Sequence, residues 1–389
     1  MREFLFYITK YVKWIYTVYF YVGTAFVNLL KLFVQPDDMM ILFVSFGGRK
    51  YDDSPKAIYE TILRDRRYDS YQLVWAFNAP EMIEIPRGEK VKTDTLRYFI
   101  VALKARVWIT NSTIERGLSF KGKHTLYINT WHGTPIKKMG SDIDISSKTF
   151  RTKGENRVDV FTTQGDFEAE IFARVFCMKP EVVKVIGLPR NDVYSNYTKQ
   201  HADYIREKLN IPSGKKVMLY APTFREYEKG QNMKRVLHIP INIEKWRKIL
   251  GESYVLLFRA HYEVAKSMEI HDDDFVRDVS AYPQLEDLMI VSDMLISDYS
   301  SMFFDYAIMH KPMLCFCYDY DKYAKERGMY FDIRDYLPNA DNEDDLIKLI
   351  QNTDTTKENA ATKRFQEHFV TEYGSAAKKS LDIIYDKIR

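Results

Sequence analysis

The chain has 389 residues, of which 46% are hydrophobic and 29% are charged, and its formal net charge is +3. This composition is that of a globular protein with room for two domains, and it excludes disorder over most of the length. The small net charge gives no indication of nucleic-acid binding, so no nucleic-acid partner is expected.

The first 36 residues are expected to associate with a membrane surface. The stretch from Trp14 to Leu30 is uncharged and rich in aromatic side chains, and it is flanked by Lys10, Lys13 and Lys31. As a helix it would extend about 25 Å, less than the roughly 30 Å of a hydrocarbon core. Aromatic and lysine side chains favour the interface, so we expect an amphipathic helix lying on the cytoplasmic face. A membrane span and a helix packed against the protein are the alternatives.

After Gln35–Asp38 the chain alternates apolar runs of strand length with helical stretches, which is typical of parallel α/β sheets. A break at Gly187–Asp192 separates two series, so we expect one domain over residues 37–190 and another over 191–389. The first series of predicted strands is Met40–Phe46, Gln72–Phe77, Val107–Asn111, Leu126–Asn129, Val158–Thr163 and Val182–Ile186. The second is Val217–Tyr220, Tyr254–Arg259, Phe275–Val279, Met294–Ser297 and Met313–Phe316. Predicted helices include Pro55–Arg64, Asp166–Phe176, Asn342–Ile350, Lys357–Val370 and a terminal helix from Ser375.

A polar loop after the strand-like run ending at Asn129 is the first candidate site. It places His132 between Trp131 and a Gly-Thr-Pro turn, and Lys137 and Lys138 follow. An imidazole with a pKa near its ordinary value of about 6.5 can accept a proton from a hydroxyl at neutral pH. The turn and the lysines can hold an anion beside it. We therefore expect a general base here rather than a histidine that only bonds its own loop.

Two further strand ends carry residues suited to phosphate. Arg259 and His261 alternate at one of them, and Ser300 and Ser301 open a predicted helix after Asp298. Arginine supplies forked donors to phosphate, and first-turn amides with the helix dipole form an anion site. The alternatives are a salt bridge or a solvated strand end at the first, and plain N-capping by Asp298 or Ser300 at the second.

Other candidates are less specific. Asp305 follows Ser301 by one helical turn and can accept hydrogen bonds from ligand hydroxyls or simply favour the helix start. Thr223 and Arg225 follow a predicted strand within reach of a phosphate, although a proline turn explains the segment almost as well. Arg190, in the break between the two series, can close over a pyrophosphate.

The pair Gly47-Gly48 follows the first predicted strand, but it lacks the spacing of a dinucleotide or ATP phosphate loop. The three cysteines form no CxxC pair, which fits a reduced, cytosolic setting, and Cys315 and Cys317 favour core packing over metal binding. No acidic metal-binding motif is present in the sequence. Neither a tightly bound metal nor a cofactor is expected.

Taken together, these segments resemble the CDP-glycerol glycerophosphotransferase family, the teichoic-acid primases and polymerases of Gram-positive bacteria. The resemblance runs from about residue 40 to about residue 335, and the ordered set of motifs is more specific than any single one. The matching segments are Trp131–Lys138, Gly187–Asn191, Tyr220–Arg225, Phe258–His261 and Ser297–Asp305, with a weaker one at Tyr51–Lys56.

The resemblance implies a GT-B-type α/β fold, in which two Rossmann-like domains with parallel sheets face a central cleft. The first domain would bind the acceptor and the second the CDP donor. The implied reaction is primase-like: glycerol phosphate passes from CDP-glycerol to a hydroxyl of an undecaprenyl-diphosphate-linked saccharide, and CMP is released. The enzyme would act as a peripheral protein on the cytoplasmic side of the cell membrane. The catalytic histidines would be His132 and His261, with their roles exchangeable, and the donor-binding residues Gly133, Thr134, Pro135, Arg190, Pro222, Thr223, Arg259, Ser300, Ser301 and Asp305.

Three alternatives stay open from the sequence. The donor can be CDP-ribitol, in teichoic acid or capsule synthesis, because the motifs address the shared CDP and phosphate groups. The enzyme can be a GT-B glycosyltransferase that uses a nucleotide sugar. A membrane-bound scaffold without activity is the third, although both histidines, Arg259 and the two serines argue against it. Formation of a homo-oligomer is left open.

Overall fold

The computed structural model describes residues 13–143, 157–223, 225, 239–260 and 272–389. The chain divides into two compact units. The first takes in the described parts of Met1–His132, Gly140–Asp192 and Glu372–Arg389, and the second those of Gly133–Met139 and Val193–Thr371.

Among the residues that the structure describes, the first unit has one parallel sheet of seven strands in the order β3-β2-β1-β4-β5-β6-β7. The order reverses between β1 and β4, and such a switch point is where doubly wound sheets bind ligands. The strands are β1 (Asp37–Val44), β2 (Gln72–Phe77), β3 (Glu89–Lys92), β4 (Ala105–Thr110), β5 (Leu126–Asn129), β6 (Val160–Thr163) and β7 (Val183–Val185).

The described part of the second unit has a parallel sheet of six strands in the order β10-β9-β8-β11-β12-β13. Its order reverses between β8 and β11, so the second unit repeats the winding of the first. The strands are β8 (Lys216–Tyr220), β9 (Tyr254–Phe258), β10 (Val276–Asp278), β11 (Met294–Ser297), β12 (Met313–Phe316) and β13 (Asn339–Ala340). The α/β fold with parallel sheets that the alternating pattern predicts is confirmed.

Helices connect the strands and cover the sheets. Within the described residues, in chain order, they are α1 (Lys13–Leu30), α2 (Asp53–Ile62), α3 (Leu96–Lys104), α4 (Asp166–Val175), α5 (Asp192–Asn196), α6 (Lys199–Lys208), α7 (Ile243–Leu250), α8 (Leu285–Val291), α9 (Met302–Ala307), α10 (Tyr320–Arg327), α11 (Glu343–Gln351), α12 (Thr355–Phe369) and α13 (Ala376–Ile388).

Each sheet has its own aromatic core. In the first unit, Trp75 stacks between Phe43 and Phe77, with ring centroids 5.2 and 5.4 Å apart. In the second, Tyr220 packs against Trp246 and Phe258 at 6.0 and 5.8 Å. Parallel strands are buried on both faces, which is why the strands read as continuous apolar runs in the sequence.

Two of the four edge strands of the described sheets, β3 and β13, are not predicted from the sequence. In β3, whose sequence is Glu-Lys-Val-Lys, only Val91 is buried, and β13 has two residues. Each of them has a single buried residue, so neither carries an apolar run that periodicity can detect.

The C-terminal helix α13 belongs to the first unit, and this corrects the prediction that residues 191–389 stay together. Tyr68 Oη donates to the carbonyl of Leu381 at 2.7 Å, and both are buried. The carboxylate of Asp192 accepts from the backbone amides of Ala376 and Ala377 at 2.8 Å each. Backbone amides at a helix start are satisfied by such acceptors, so Asp192 anchors the beginning of α13.

Helix α1 packs one face against the rest of the first unit. Tyr19 Oη donates to the carbonyl of Arg116 at 2.9 Å, and Asn28 Nδ2 donates to the carbonyl of Ser119 at 3.0 Å. Within the described ranges, no helix is both long and apolar enough to span a bilayer. The helix itself is confirmed, and its association with a membrane is a proposal taken up below.

Candidate active site

The loop after β5 carries His132 to the switch point of the first sheet. The amide of Thr130 donates to the carbonyl of Thr110 at 2.9 Å, which extends the pairing of β5 with β4 by one residue. Trp131 then takes a positive φ of 50° while its amide donates to Asn129 Oδ1 at 2.9 Å. This turn, which ends at Gly133 with a φ of 150°, projects His132 beyond the carboxyl end of the sheet.

The imidazole of His132 is held in one tautomer. Its Nδ1 lies 2.8 Å from the carbonyl oxygen of Asn111, just after β4. A carbonyl oxygen only accepts, so Nδ1 carries the hydrogen and Nε2 has the lone pair in the neutral ring. The ring stacks on Trp131 with centroids 4.3 Å apart and meets Phe46 at 5.8 Å. This arrangement presents Nε2 as a proton acceptor.

Loss of water around the ring lowers the pKa of His132 from its ordinary value, although the residue keeps part of its surface exposed. The hydrogen bond with Asn111 and the charge of Asp53 act in the opposite direction, whereas Arg190 and Arg49 lower the pKa further. A histidine with a lowered pKa is unprotonated at neutral pH. His132 is therefore in the state that a general base needs.

The structure shows one neighbour of His132 that sequence reasoning missed. Asp53, the first residue of α2, is 6% exposed and has a φ of 64°. Its Oδ2 lies 2.8 Å from Nη1 of Arg190, and that Nη1 also donates to the carbonyl of His132 at 2.8 Å. The Asp-Asp-Ser-Pro sequence is typical of a helix start, so the sequence gives no separate signal for a role of Asp53 at the site.

The turn after β1 completes the surroundings of His132. The amides of Phe46 and Gly47 donate to Asn111 Oδ1 at 2.7 Å and to Ser112 Oγ at 2.9 Å. Phe46, Asp53 and Trp131 all have positive φ values. Such strain in non-glycine residues is costly, about 1–3 kcal/mol each, and clusters at functional sites.

The switch point of the second sheet is organised around a buried arginine. Arg225 has no exposed side-chain surface, and its guanidinium lies 2.8 Å from Asp298 and 2.8 Å from Asp319. It also faces the rings of Tyr299 and Tyr323 at 5.1 and 4.8 Å. The two carboxylates raise the pKa of Arg225. The guanidinium is thus bound within the protein, and Arg225 is not placed to reach a phosphate as the sequence suggests.

Thr223 precedes this arginine. Its amide donates to both carboxylate oxygens of Asp298, at 2.9 and 3.1 Å. Its Oγ1 is buried without a hydrogen-bond partner among the described residues. A buried hydroxyl without a partner is costly, about 1–3 kcal/mol, so it marks a position where a ligand atom would be favoured.

The other predicted donor-binding residues of the second unit follow neighbouring strands. The backbone amide of Arg259 donates to the carbonyl of Tyr220 at 2.9 Å, and its Nη1 donates to the carbonyls of Val279 and Tyr282 at 3.1 and 2.7 Å. Because β9, β8 and β11 are adjacent and parallel, the residues that follow them share one edge of the sheet. These residues are Pro222, Thr223, Arg259, Ser300 and Ser301.

The predicted helix after Asp298 is confirmed, with Ser301 as its N-cap residue and α9 beginning at Met302. Ser300 Oγ accepts from the amide of Met302 at 3.2 Å. Asp305 is 4% exposed in the first turn of this helix. Asp298 does not cap the helix; it binds Arg225 and Thr223. The sixth predicted residue at this edge, His261, lies outside the described residues.

The segment Gly133–Met139 belongs to the second unit, so it departs from the predicted first domain. Thr134 is fully buried. Lys138 donates its amide to the carbonyl of Gly328 at 3.0 Å, and Tyr330 donates its amide to the carbonyl of Ile136 at 2.8 Å. Thr134 and its neighbours Gly133 and Pro135 are thus held by contacts in the second unit, while His132 is held in the first.

Among the described side chains, no group of three or more histidine, cysteine, aspartate or glutamate residues is arranged to hold a metal ion. Cys315 and Cys317 are 0% and 2% exposed in and just after β12, with sulfurs 2.9 Å apart. Core packing of this pair, which the sequence favours, is confirmed.

Comparison with known proteins places this architecture among teichoic-acid enzymes. The chain is 35% identical over 368 residues to a teichoic acid poly(glycerol phosphate) polymerase of Staphylococcus epidermidis, covering 90% of this chain but 51% of the relative. It is 33% identical over 382 residues to a teichoic acid glycerol-phosphate transferase of Staphylococcus aureus, covering 93% of this chain and 96% of the relative. The chain thus spans about half of one relative and nearly all of the other.

A structure of the wall teichoic acid polymerase TagF soaked with CDPG is similar to this one, with a TM-score of 0.83 and 32% identity over 94% of this chain and 93% of that one. The family described as CDP-glycerol:poly(glycerophosphate) glycerophosphotransferase matches residues 26–386, nearly the whole chain. The chain belongs to this family.

Proposed function

We propose that this protein transfers glycerol phosphate from CDP-glycerol to a hydroxyl of a lipid-linked saccharide and releases CMP. The observation that carries the proposal is the imidazole of His132, whose Nε2 lone pair is made available by the bond from Nδ1 to the carbonyl of Asn111. The family relationship supports the donor, because relatives at 33–35% identity carry the names of glycerol-phosphate enzymes.

In the proposed reaction, the acceptor oxygen attacks the phosphorus that carries the glycerol group. The bond from that phosphorus to the bridging oxygen breaks, and the electron pair leaves with CMP. Nε2 of His132 takes the proton of the acceptor hydroxyl. Phosphoryl transfer depends on such positioning and on groups that neutralise charge on the transferring phosphate.

The donor phosphates would bind at the carboxyl edge of the second sheet. Arg259, Ser300 and Ser301 provide charged and hydroxyl donors there, and the buried hydroxyl of Thr223 has no hydrogen-bond partner among the described residues. His261 would assist them, together with Pro222 and Asp305, which the family resemblance also implies. Two Rossmann-like domains of GT-B type are part of the same proposal, as are contacts of Gly133, Thr134 and Pro135 with the donor.

We also propose that the protein acts as a peripheral protein on the cytoplasmic side of the cell membrane, held by α1. The face of α1 directed away from the first unit is apolar and exposed, as in Trp14 (69%), Val18 (53%), Val22 (65%) and Phe26 (53%). These residues follow one another at intervals of four, so they form one stripe on the helix. Such a stripe suits insertion into the headgroup region of a bilayer.

With a lipid-linked saccharide as acceptor, the test measures the nucleotide released: CMP from CDP-glycerol or, in parallel, from CDP-ribitol, and the nucleoside diphosphate from a nucleotide sugar. Acceptor-dependent CMP from CDP-glycerol is expected in the wild type. His132→Ala should abolish transfer while calorimetry still detects donor binding. His201→Ala is the matched control, because His201 is 44% exposed beside Asp287 and should leave transfer unchanged. Release of CMP from CDP-ribitol alone would show that the donor is CDP-ribitol. The absence of nucleotide release with every donor would refute the proposal.

A further inference from the structure

The contacts between Asp53 and Arg190 serve His132 rather than the start of α2. Asp52 already caps that helix, because its side chain accepts from the amide of Asp53 at 2.8 Å. Oδ1 of Asp53 accepts from the amide of Ser54 at 2.6 Å. Its Oδ2 holds Arg190, 137 positions away, and Arg190 in turn holds the carbonyl of His132. The helix start therefore accounts for Oδ1 of Asp53, but it does not explain the contact of Oδ2 with Arg190.

Stability does not explain the pair either. The side chains of Arg190 and Asp53 are 11% and 5% exposed, so both charges have lost most of their water. The loss of hydration of a buried ion pair often cancels the attraction between the charges. Asp53 also has a φ of 64°, a conformation that is costly for a residue other than glycine. An arrangement that is costly in two ways fits a functional role.

Arg190 is fixed on several sides at once. Besides Asp53 and the carbonyl of His132, its backbone amide donates to Ser54 Oγ at 3.3 Å and its Nε donates to Asn191 Oδ1 at 3.4 Å. A guanidinium held in this way restrains the peptide of His132 directly. This differs from the family-based expectation that Arg190 binds the pyrophosphate of the donor.

The geometry points to a brace formed by Asp53 and Arg190, which positions His132 for proton transfer. In this brace the carboxylate of Asp53 also stabilises the imidazolium that forms when His132 takes the proton of the acceptor hydroxyl. Both are positioning residues, and the inference rests on the proposed function. The charges that act on the ring are Asp53, which raises the pKa of His132, and Arg190 and Arg49, which lower it.

The test begins with a readout that needs no substrate. Histidine-labelled full-length protein is titrated by NMR, and the signal of His132 is identified by its loss in His132→Asn. Asp53→Asn keeps the size of the side chain and a residue type that tolerates a positive φ, so it removes mainly the charge. The pKa of His132 should fall in Asp53→Asn and rise in Arg190→Gln. Asp52→Asn is the matched control and should leave it unchanged, because asparagine also caps helices.

The kinetic readout follows on the same variants. With CDP-glycerol, Asp53→Asn and Arg190→Gln should each lower kcat by about 10- to 100-fold, the usual effect of misplacing a catalytic group, while KM for the donor stays nearly constant. An unchanged pKa of His132 in Asp53→Asn would overturn the brace. A raised donor KM with unchanged kcat in Arg190→Gln would assign Arg190 to the donor instead. A wild-type enzyme that is inactive with CDP-glycerol would refute the proposed function, and the titration would still decide on the brace.

Discussion

Replacement of Arg225 by methionine is expected to destabilise the second unit strongly. The guanidinium is fully buried and bonded to Asp298 and Asp319. It also donates to the carbonyl of Thr223 at 2.6 Å and lies 5.4 Å from the ring of Tyr318. Methionine has a similar length and fills much of the same space, so the substitution removes the charge and the hydrogen bonds with little loss of volume.

Removal of one partner from a buried ion pair costs about 3–5 kcal/mol, because the other charge is left buried without compensation. Here Asp298 is 2% exposed and loses its cation, whereas Asp319 at 13% can regain some water. We therefore expect a loss of about 4 kcal/mol in the free energy of unfolding. For a unit of this size, at roughly 2–4 °C per kcal/mol, the melting temperature should fall by about 10 °C.

Differential scanning calorimetry is the suitable assay, because it can show separate transitions for the two units. Arg247→Met is the matched control, since Arg247 pairs with Glu244 and Asp273 at 35% exposure and should cost about 1 kcal/mol or less. A melting temperature within about 2 °C of the wild type, together with weaker donor binding, would refute the reasoning. Arg225 would then face a ligand rather than the two carboxylates.

Three further outcomes are expected. Because the pKa of His132 lies below its ordinary value of 6.5, the acid limb of kcat/KM should lie below pH 6.5, and an acid limb above that pH would count against His132 as the base. Val18→Ser combined with Val22→Ser should weaken binding to anionic lipid vesicles roughly tenfold or more, measured by sedimentation, since both side chains are exposed on α1. Tyr68→Phe should lower the free energy of unfolding by about 1 kcal/mol, since it removes the buried bond to the carbonyl of Leu381, and no change in urea denaturation would mean that this bond does not hold α13.

The positions of the buried strands could be predicted from the sequence, several of them to the residue. β2, β5, β11 and β12 have the predicted bounds. Strands that are buried on both faces must be apolar throughout, and the polar residues that end them mark the edge where ligands bind. The change from apolar to polar residues is also what predicts that His132, Arg259 and Ser300 lie at strand ends.

The pairing of charges could not be predicted in this way. Arg225 and Arg259 both follow predicted strands, and local sequence does not distinguish the buried one. Arg225 reaches Asp319, 94 positions away, because β8, β11 and β12 are brought side by side in the sheet. Asp53 likewise meets Arg190 only because the chain returns to the same switch point.

The sequence by itself determined the α/β class, the two series of strands, the family and the catalytic candidate His132. Apolar periodicity and motif spacing are local properties, so the chain carries them whether or not it is folded. The tertiary structure decided that α13 joins the first unit, that Arg225 is buried, and that Asp53 and Arg190 hold His132. These are long-range contacts, with Tyr68 and Leu381 separated by 313 positions, and they exist only when folding brings distant segments together.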